Sequence, residues 1–224
     1  MLRVEFHCHT VYSKDSLTSP ERLLEVCRRV GIDRVVVTDH NTIAGAVYAQ
    51  AIDPDRVIVG EEIMTQAGEI LAFFVQEEVP AGLRPAEAIA RLREQDAFIS
   101  LSHPFDRLRS GHWRLPDLME VAPLVDAIET FNARCLWPGF NKAAQDFARQ
   151  HGLPGTAGSD AHAAFEVGKA TLVLPPFQDA GSLKEALGSA QQRLKLSAPW
   201  VHLASRYAVW QKRRKGSFDG RKSG

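Results

Sequence analysis

Cysteine is scarce in this chain, and its three copies, Cys8, Cys27 and Cys135, are odd in number and widely spaced. That excludes a disulfide framework, and without a Cys-x-x-Cys pair there is neither a zinc ribbon nor a redox couple to expect. A reducing, cytoplasmic setting is therefore expected. Net charge is also missing: Lys+Arg and Asp+Glu number 27 each. No global field draws nucleic acid or an anionic membrane, so any attraction for an anion must be local. No apolar run approaches the roughly 20 residues that span a bilayer. The N-terminus has no basic region, apolar stretch and cleavage site in series, so no secretory signal is expected. Two motifs are absent as well, a Gly-rich nucleotide fingerprint after the first β-prone run and a Gly-x-Ser-x-Gly nucleophile elbow.

What is present is an ordinary globular balance, 45% hydrophobic and 24% charged, in 224 residues. That length builds one large domain more readily than two. β-prone runs fall at 2–6, 34–38, 57–60, 98–102, 127–130, 153–157 and 171–174. Helical spacing appears over 20–30, 85–95, 140–150 and 182–187, the first with Ser19 as cap, Pro20 at its first position and Gly31 as its stop. Strand then helix, repeated about seven times, predicts a parallel α/β architecture. With His-Cys-His where a nucleotide fingerprint would stand, a closed barrel is favoured over an open Rossmann sheet. One departure is expected: a second β-prone run at 70–76 follows 57–63 too closely for a helix and predicts a hairpin around 66–69. The domain is expected to occupy residues 1–198, followed by a basic, flexible tail over 199–224 that includes Lys212, Arg213, Arg214 and Lys215.

The ligand-type side chains follow a rule of position. His7 and His9 follow the first run, Asp39 and His40 the second, Glu61 and Glu62 the third. His103 follows the fourth, Glu129 and Asn132 end the fifth, and Asp160 and His162 follow the sixth. In a β/α barrel the C-terminal ends of the strands converge on one mouth, so these residues become neighbours. Taken singly each has an ordinary reading; Asp39 or Asp160 could cap a helix. Their joint placement argues for one site. His7 and His9, two apart on extended chain, point the same way, and Cys8 between them should point into packing. Histidine with carboxylates suits zinc, manganese or iron, and the lack of cysteine ligands argues against a purely structural zinc. His112, His151 and His202 do not follow strands and read as surface or capping residues, while Trp113 and Trp137 read as lid or core.

Five segments in order resemble the motifs of the PHP (polymerase and histidinol phosphatase) domain family, over residues 1 to about 190. They are His7-Cys8-His9 with Ser13 and Asp15, Thr38-Asp39-His40-Asn41, Gly60-Glu61-Glu62-Ile63, Ser102-His103-Pro104, and Gly158-Ser159-Asp160-Ala161-His162. The resemblance implies a distorted (β/α)7 TIM-like barrel holding two or three divalent ions. It implies that His7, His9, Glu62 and Asp160 hold the first ion and that Asp15, His40 and His162 hold the second. Glu62 would bridge to a third, held also by His103. Where some members supply a further histidine, this chain has Glu129 and Asn132, which become candidate third-site ligands. Asp15 and His162 are also candidates for handling the catalytic proton.

Three divalent ions against Glu62, Asp160 and Asp15 would leave the site roughly three charges positive, counting formal charge only. Such a site wants an anion, and Arg107 and Arg109, just past His103-Pro104, are candidates for bidentate phosphate contacts. The implied activity is hydrolysis of a phosphomonoester or nucleotide by metal-activated water. Two alternatives stand beside it. One is a 5′-end-directed nuclease or oligonucleotide phosphatase, with the basic tail meeting nucleic acid. The other is a non-catalytic, metal-stabilised module, which the retention of all eight implied ligands disfavours.

Overall fold

The structure is a computed structural model and describes residues 1–214. Seven strands lie side by side in chain order: β1 (Leu2–Cys8), β2 (Arg34–Val37), β3 (Val57–Met64), β4 (Glu69–Phe73), β5 (Phe98–Leu101), β6 (Ala127–Asn132) and β7 (Gly155–Gly158). Two more, β8 (Ala170–Leu174) and β9 (Gln191–Leu194), continue the sheet beyond β1. The sheet curls until β1 meets the segment after β7. There the Asp160 N–H donates to the His7 carbonyl at 2.7 Å and the His9 N–H to the Ala161 carbonyl at 2.9 Å. The result is the distorted TIM-like barrel the sequence predicts.

The expected hairpin is present. Thr65 and Gly68 make its turn, with the Thr65 N–H and hydroxyl both donating to the Gly68 carbonyl. β4 therefore runs antiparallel to β3 and β5, while β1-β2-β3 and β5-β6-β7 are parallel sets. Strict strand–helix alternation fails here and again between β7 and β8, which follow each other without a helix.

The barrel is filled from below. Val4 and Phe6 of β1, Val36 of β2, Ile58 of β3, Leu71 and Phe73 of β4, Phe98 of β5, Ala127 of β6 and Ala157 of β7 form one buried cluster. The Phe6 and Phe73 rings, from strands that are not neighbours, approach to 5.4 Å across the interior. A second cluster joins the outer face of the sheet to α1 (Pro20–Val30), α2 (Ala44–Ile52), α3 (Pro85–Arg93), α4 (Leu115–Val121) and α5 (Pro138–His151). With the N-terminal half of the barrel apolar, the polar residues are left to its other end.

α1 forms as its sequence predicts. The Ser19 hydroxyl accepts from the Arg22 N–H, Pro20 opens the helix, and Gly31 at φ 72° ends it. α6 (Ala180–Leu187) is capped by Asp179. The segment expected as a flexible tail is different: Val201–Arg214 is a helix, α7, which buries Val201, Ala208 and Lys212 at helical spacing. These residues mark a packed face that the basic composition masks. Residues 215–224, including Lys215 of the basic run, lie outside the described residues. No helix among the described residues is long and apolar enough to cross a membrane.

Candidate metal centre

β1 brings the first two histidines to the mouth. Its register slips between Glu5 and Cys8, so the ordinary alternation is reset just before the site. Cys8 packs among Leu23, Leu24 and Cys27, while His7 and His9 turn to the mouth with their Nε2 atoms 3.1 Å apart. Glu62, near the end of β3, and Asp160, after β7, complete the group. Glu62 Oε2 lies 3.3 Å from His7 Nε2 and 3.4 Å from His9 Nε2, and Asp160 Oδ1 lies 3.5 and 3.2 Å from the same two atoms. A tetrahedral ion with bonds of about 2.0–2.1 Å requires donors separated by about 3.3–3.4 Å. All five of these separations cluster around that edge length.

The donors are also unsatisfied. Glu62 Oε2, Asp160 Oδ1 and Asp15 Oδ1 are buried with no hydrogen-bond partner among the described residues. Glu62 Oε2 and Asp160 Oδ1 face imidazole nitrogens instead, the shortest approach being Glu62 Oε2 to His40 Nδ1 at 3.0 Å. Buried carboxylate oxygens without a hydrogen bond are costly, and a cation among these nitrogens lowers the cost. The residues present fit a divalent ion.

The outer ring nitrogens set the tautomers. His7 Nδ1 meets Glu129 Oε1 at 2.9 Å, so it carries the proton and leaves Nε2 a lone pair. His9 Nδ1 meets the Ser13 hydroxyl at 3.1 Å, which in turn donates to Asp39 Oδ1 at 2.6 Å. Asp39 is thereby a support two contacts behind the ligands, fixed further by the Thr10 N–H and hydroxyl. Burial, together with the neighbouring His162 and His40, holds His9 well below the ordinary imidazole range. For His7, burial opposes the charged form, but Glu62, Glu129 and Asp160 outweigh it and raise the imidazole well above that range.

A second group stands beside the first. Asp15 Oδ2 lies 3.2 Å from His162 Nε2 and 3.6 Å from His40 Nε2, and ligand atoms of His9, His40 and His162 fall within 4.8 Å of one another. Burial would raise the Asp15 carboxyl, but His162 and His40 hold it well below the usual carboxylate range. A third group forms around the other oxygen of Glu62. Glu62 Oε1 lies 3.2 Å from His103 Nε2, and Glu69 Oε2 lies 3.3 Å from the same nitrogen. Glu69 also faces His40 Nδ1 at 3.9 Å. Glu62 thus presents one oxygen to each of two groups. Its neighbour Glu61 turns away and accepts from the Val79 N–H.

Glu69 is absent from the sequence reading because it opens its strand instead of ending it. β4 is reversed, so its first residue reaches the mouth; the predicted hairpin was the signal. Glu129 and Asn132, the candidate third-site residues, lie beside the other groups. Glu129 gives Oε1 to His7 and Oε2 to the His103 N–H and the Asn132 amide, and so uses both oxygens in support. Asn132 donates to Asp160 Oδ2 at 3.2 Å and accepts from the Arg134 N–H.

Arg109 is committed within the site, with Nη2 2.5 Å from Asp160 Oδ2 and Nε 3.2 Å from Asp106 Oδ2. It holds Asp160 in place and keeps it ionised, although burial alone would raise that carboxyl. Arg107 is exposed on the same loop. Arg134, which carries no motif, is buried with Nη1 2.5 Å from His162 Nδ1 and Nε 3.3 Å from Glu166 Oε2. Among the residues read as bystanders, His112 bonds the Arg109 carbonyl, His151 stacks on Phe147, and His202 bonds the Arg134 carbonyl. Trp113 is core, its indole N–H donating to the Glu69 carbonyl, and Trp137 is exposed. Two ligand positions carry unusual backbone, His103 at φ 21° and Asp160 at φ 51°. Such conformations persist where the surroundings over-determine them, as at ligand clamps.

Comparison with known proteins agrees with this geometry. The family model of the PHP domain matches residues 5–103, and that of the PHP-associated region matches 138–191. An uncharacterized protein of Methanocaldococcus jannaschii is 38% identical over 173 residues, covering 75% of this chain and 69% of its own. The chain belongs to the PHP domain family. In fold it is similar to a two-domain protein from Bacteroides vulgatus containing a predicted PHP-like metal-dependent phosphoesterase. The TM-score is 0.69 at 20% identity, over 87% of this chain and 65% of that one. It is also similar to a lesion-specific endonuclease from Pyrococcus furiosus, with a TM-score of 0.57 at 13% identity over 88% of this chain and 59% of that one. Less than two thirds of either solved chain is thus spanned.

Proposed function

We propose that this protein is a metal-dependent phosphoesterase that releases phosphate from a phosphomonoester or nucleotide. The observation that carries the reading is the first donor group: two imidazole nitrogens and two buried carboxylate oxygens that accept no hydrogen bond, spaced for one ion. Under this reading His7, His9, Glu62 and Asp160 hold one divalent ion and Asp15, His40 and His162 a second. Glu62 with His103 and Glu69 would hold a third. Zinc, manganese and iron all suit these donors. Bound there, the ions supply Lewis acidity, which lowers the pKa of water and neutralises charge on phosphate oxygens.

The chain's own residues do the rest. Glu129 at His7, and Ser13 backed by Asp39 at His9, hold the proton on Nδ1 and turn each Nε2 to the donor group, so that Nε2 is the nitrogen a metal would take. Asp15 and His162 share a position at the rim, Nε2 to Oδ2 at 3.2 Å, that either a proton or a cation can fill. This pair is proposed as the proton-handling element. Arg107, with no ion pair among the described residues, is proposed to meet the phosphate, while Arg109 acts through Asp160.

Elemental analysis of the purified protein, with phosphate release from p-nitrophenyl phosphate and a panel of sugar phosphates and nucleotides, tests the reading. The expected result is divalent metal with phosphate release, both lost in His9→Ala and Asp160→Ala while the circular dichroism of the fold persists. Bound metal without phosphate release from any substrate would reduce the protein to a metal-stabilised module. A fully folded protein that takes up none of the three metals would overturn the site itself.

A further inference from the structure

α7 carries a face that its packing does not use. It is held firmly: the Lys212 ammonium donates to the Val11 and Ser13 carbonyls, on the loop that leads to Asp15. At its other end, Arg134 donates to the Ser205 hydroxyl at 2.8 Å and the Val201 carbonyl at 3.3 Å, while also contacting His162. The helix therefore runs along the rim of the mouth on the Asp15–His162 side. Its opposite face presents Leu203, Arg206, Tyr207, Trp210, Arg213 and Arg214 to solvent. Tyr207 is 55% exposed and Trp210 51%, far above what an ordinary packed aromatic shows. Their rings are 5.7 Å apart, and the Arg214 guanidinium lies 4.7 Å over the Trp210 ring. Just before the helix, Trp200 packs on Phe165 with both rings half exposed. In a chain of zero net charge, residues 186–218 hold seven Lys/Arg and no Asp or Glu.

We propose that this face is a track for single-stranded nucleic acid that delivers a phosphorylated end to the metal centre. Flat aromatic rings accept bases of any sequence by stacking, and arginines between them meet the phosphates. A second copy of the chain is a poor occupant, because two faces without an acidic residue repel. The ring-and-arginine alternation beside a site built for phosphate esters selects a polyanion with bases over a lipid surface. The substrate assignment rests on the phosphoesterase reading; the binding does not.

The test uses the full-length, metal-loaded protein and an oligonucleotide with phosphorothioate linkages and a 5′-terminal phosphonate, whose C–P bond resists hydrolysis, read by fluorescence anisotropy. Tyr207→Ala with Trp210→Ala is expected to weaken binding at least roughly 30-fold, the size of two lost stacking contacts. Arg206→Gln with Arg213→Gln is expected to reduce the log–log salt slope by about 1.4. Hydrolysis of p-nitrophenyl phosphate should stay within twofold in both variants. Unchanged oligonucleotide affinity in both would overturn the track. So would a loss confined to binding of phosphatidylglycerol vesicles, or to self-association in sedimentation, with oligonucleotide affinity intact. Phosphate release without oligonucleotide binding sinks the track alone. Oligonucleotide binding through this face without phosphate release from any substrate sinks the phosphoesterase reading alone.

Discussion

Glu129 is placed to steady a metal site from behind its histidines. Its two oxygens are spent on His7 Nδ1 and on the His103 N–H with Asn132. In Glu129→Gln an amide N–H must face one of these donors, so His7 loses its fixed tautomer. Metal affinity should fall about 10- to 100-fold, as for other outer partners of ligating histidines. Chelator competition measures this, and an unchanged affinity would contradict the role. Proton competition gives a second prediction. His7 and His40 are both raised well above the ordinary imidazole range by the carboxylates around them, against burial. In the metal-free protein they hold protons that a metal must displace, so affinity rises as pH rises and is lost as pH falls through their raised pKa values. With two protons displaced, affinity should change up to about 100-fold per pH unit in metal titrations at pH values where the metal-free protein keeps both imidazoles protonated, and less above them. From sequence, Glu129 reads only as a carboxylate at a strand end. Its hydrogen bond to His7 depends on where His7 Nδ1 points, which spacing does not encode.

At the scale of elements, closeness between strands is set by glycine. A Cβ on Gly158 would lie 2.2 Å from the His7 Cβ and 2.9 Å from Glu129 Oε1. Gly158→Ala should therefore cost about 1–3 kcal/mol by overpacking and displace His7. Denaturant unfolding should show the lower stability, and elemental analysis a smaller metal content. The elements themselves were unevenly legible. α1 announces itself through Ser19, Pro20 and Gly31, and the β-prone runs match β1 to β8 in place and order. α2 escapes because Ile43, at its start, makes no side-chain cap bond, and α4 because it has only 7 residues to show a period. Glu69 escapes because the rule that ligands end strands holds only for strands pointing at the mouth. Arg134 and α7 escape for a common reason: their significance is a contact between distant segments.

For the whole molecule, metal and fold should be coupled, because the ligands come from strands all round the barrel. An ion at 100 times its dissociation constant adds about 2.7 kcal/mol. For a chain of this length that corresponds to roughly 5–10 °C in melting temperature. Removing metal with a chelator should lower the midpoint by about that much in a thermal scan, and restoring zinc or manganese should recover it. No shift would mean that the donors are held apart from the stability of the barrel.

The seam between β1 and the segment after β7 also fixes an order of events. His7 and Ser159, which meet there, are separated by 152 residues. Contacts of such long range form late, after the entropy of closing so large a loop has been met by other pairings. His7 and His9 are therefore expected to meet Asp160 and His162 only when nearly all of the barrel exists. The complete donor set, with Asp160 and His162, exists only once the barrel is closed, so the refolding rate is expected to be indifferent to metal while unfolding slows when metal is bound. A refolding rate that rises with metal would instead point to early binding by His7, His9, His40 and Glu62.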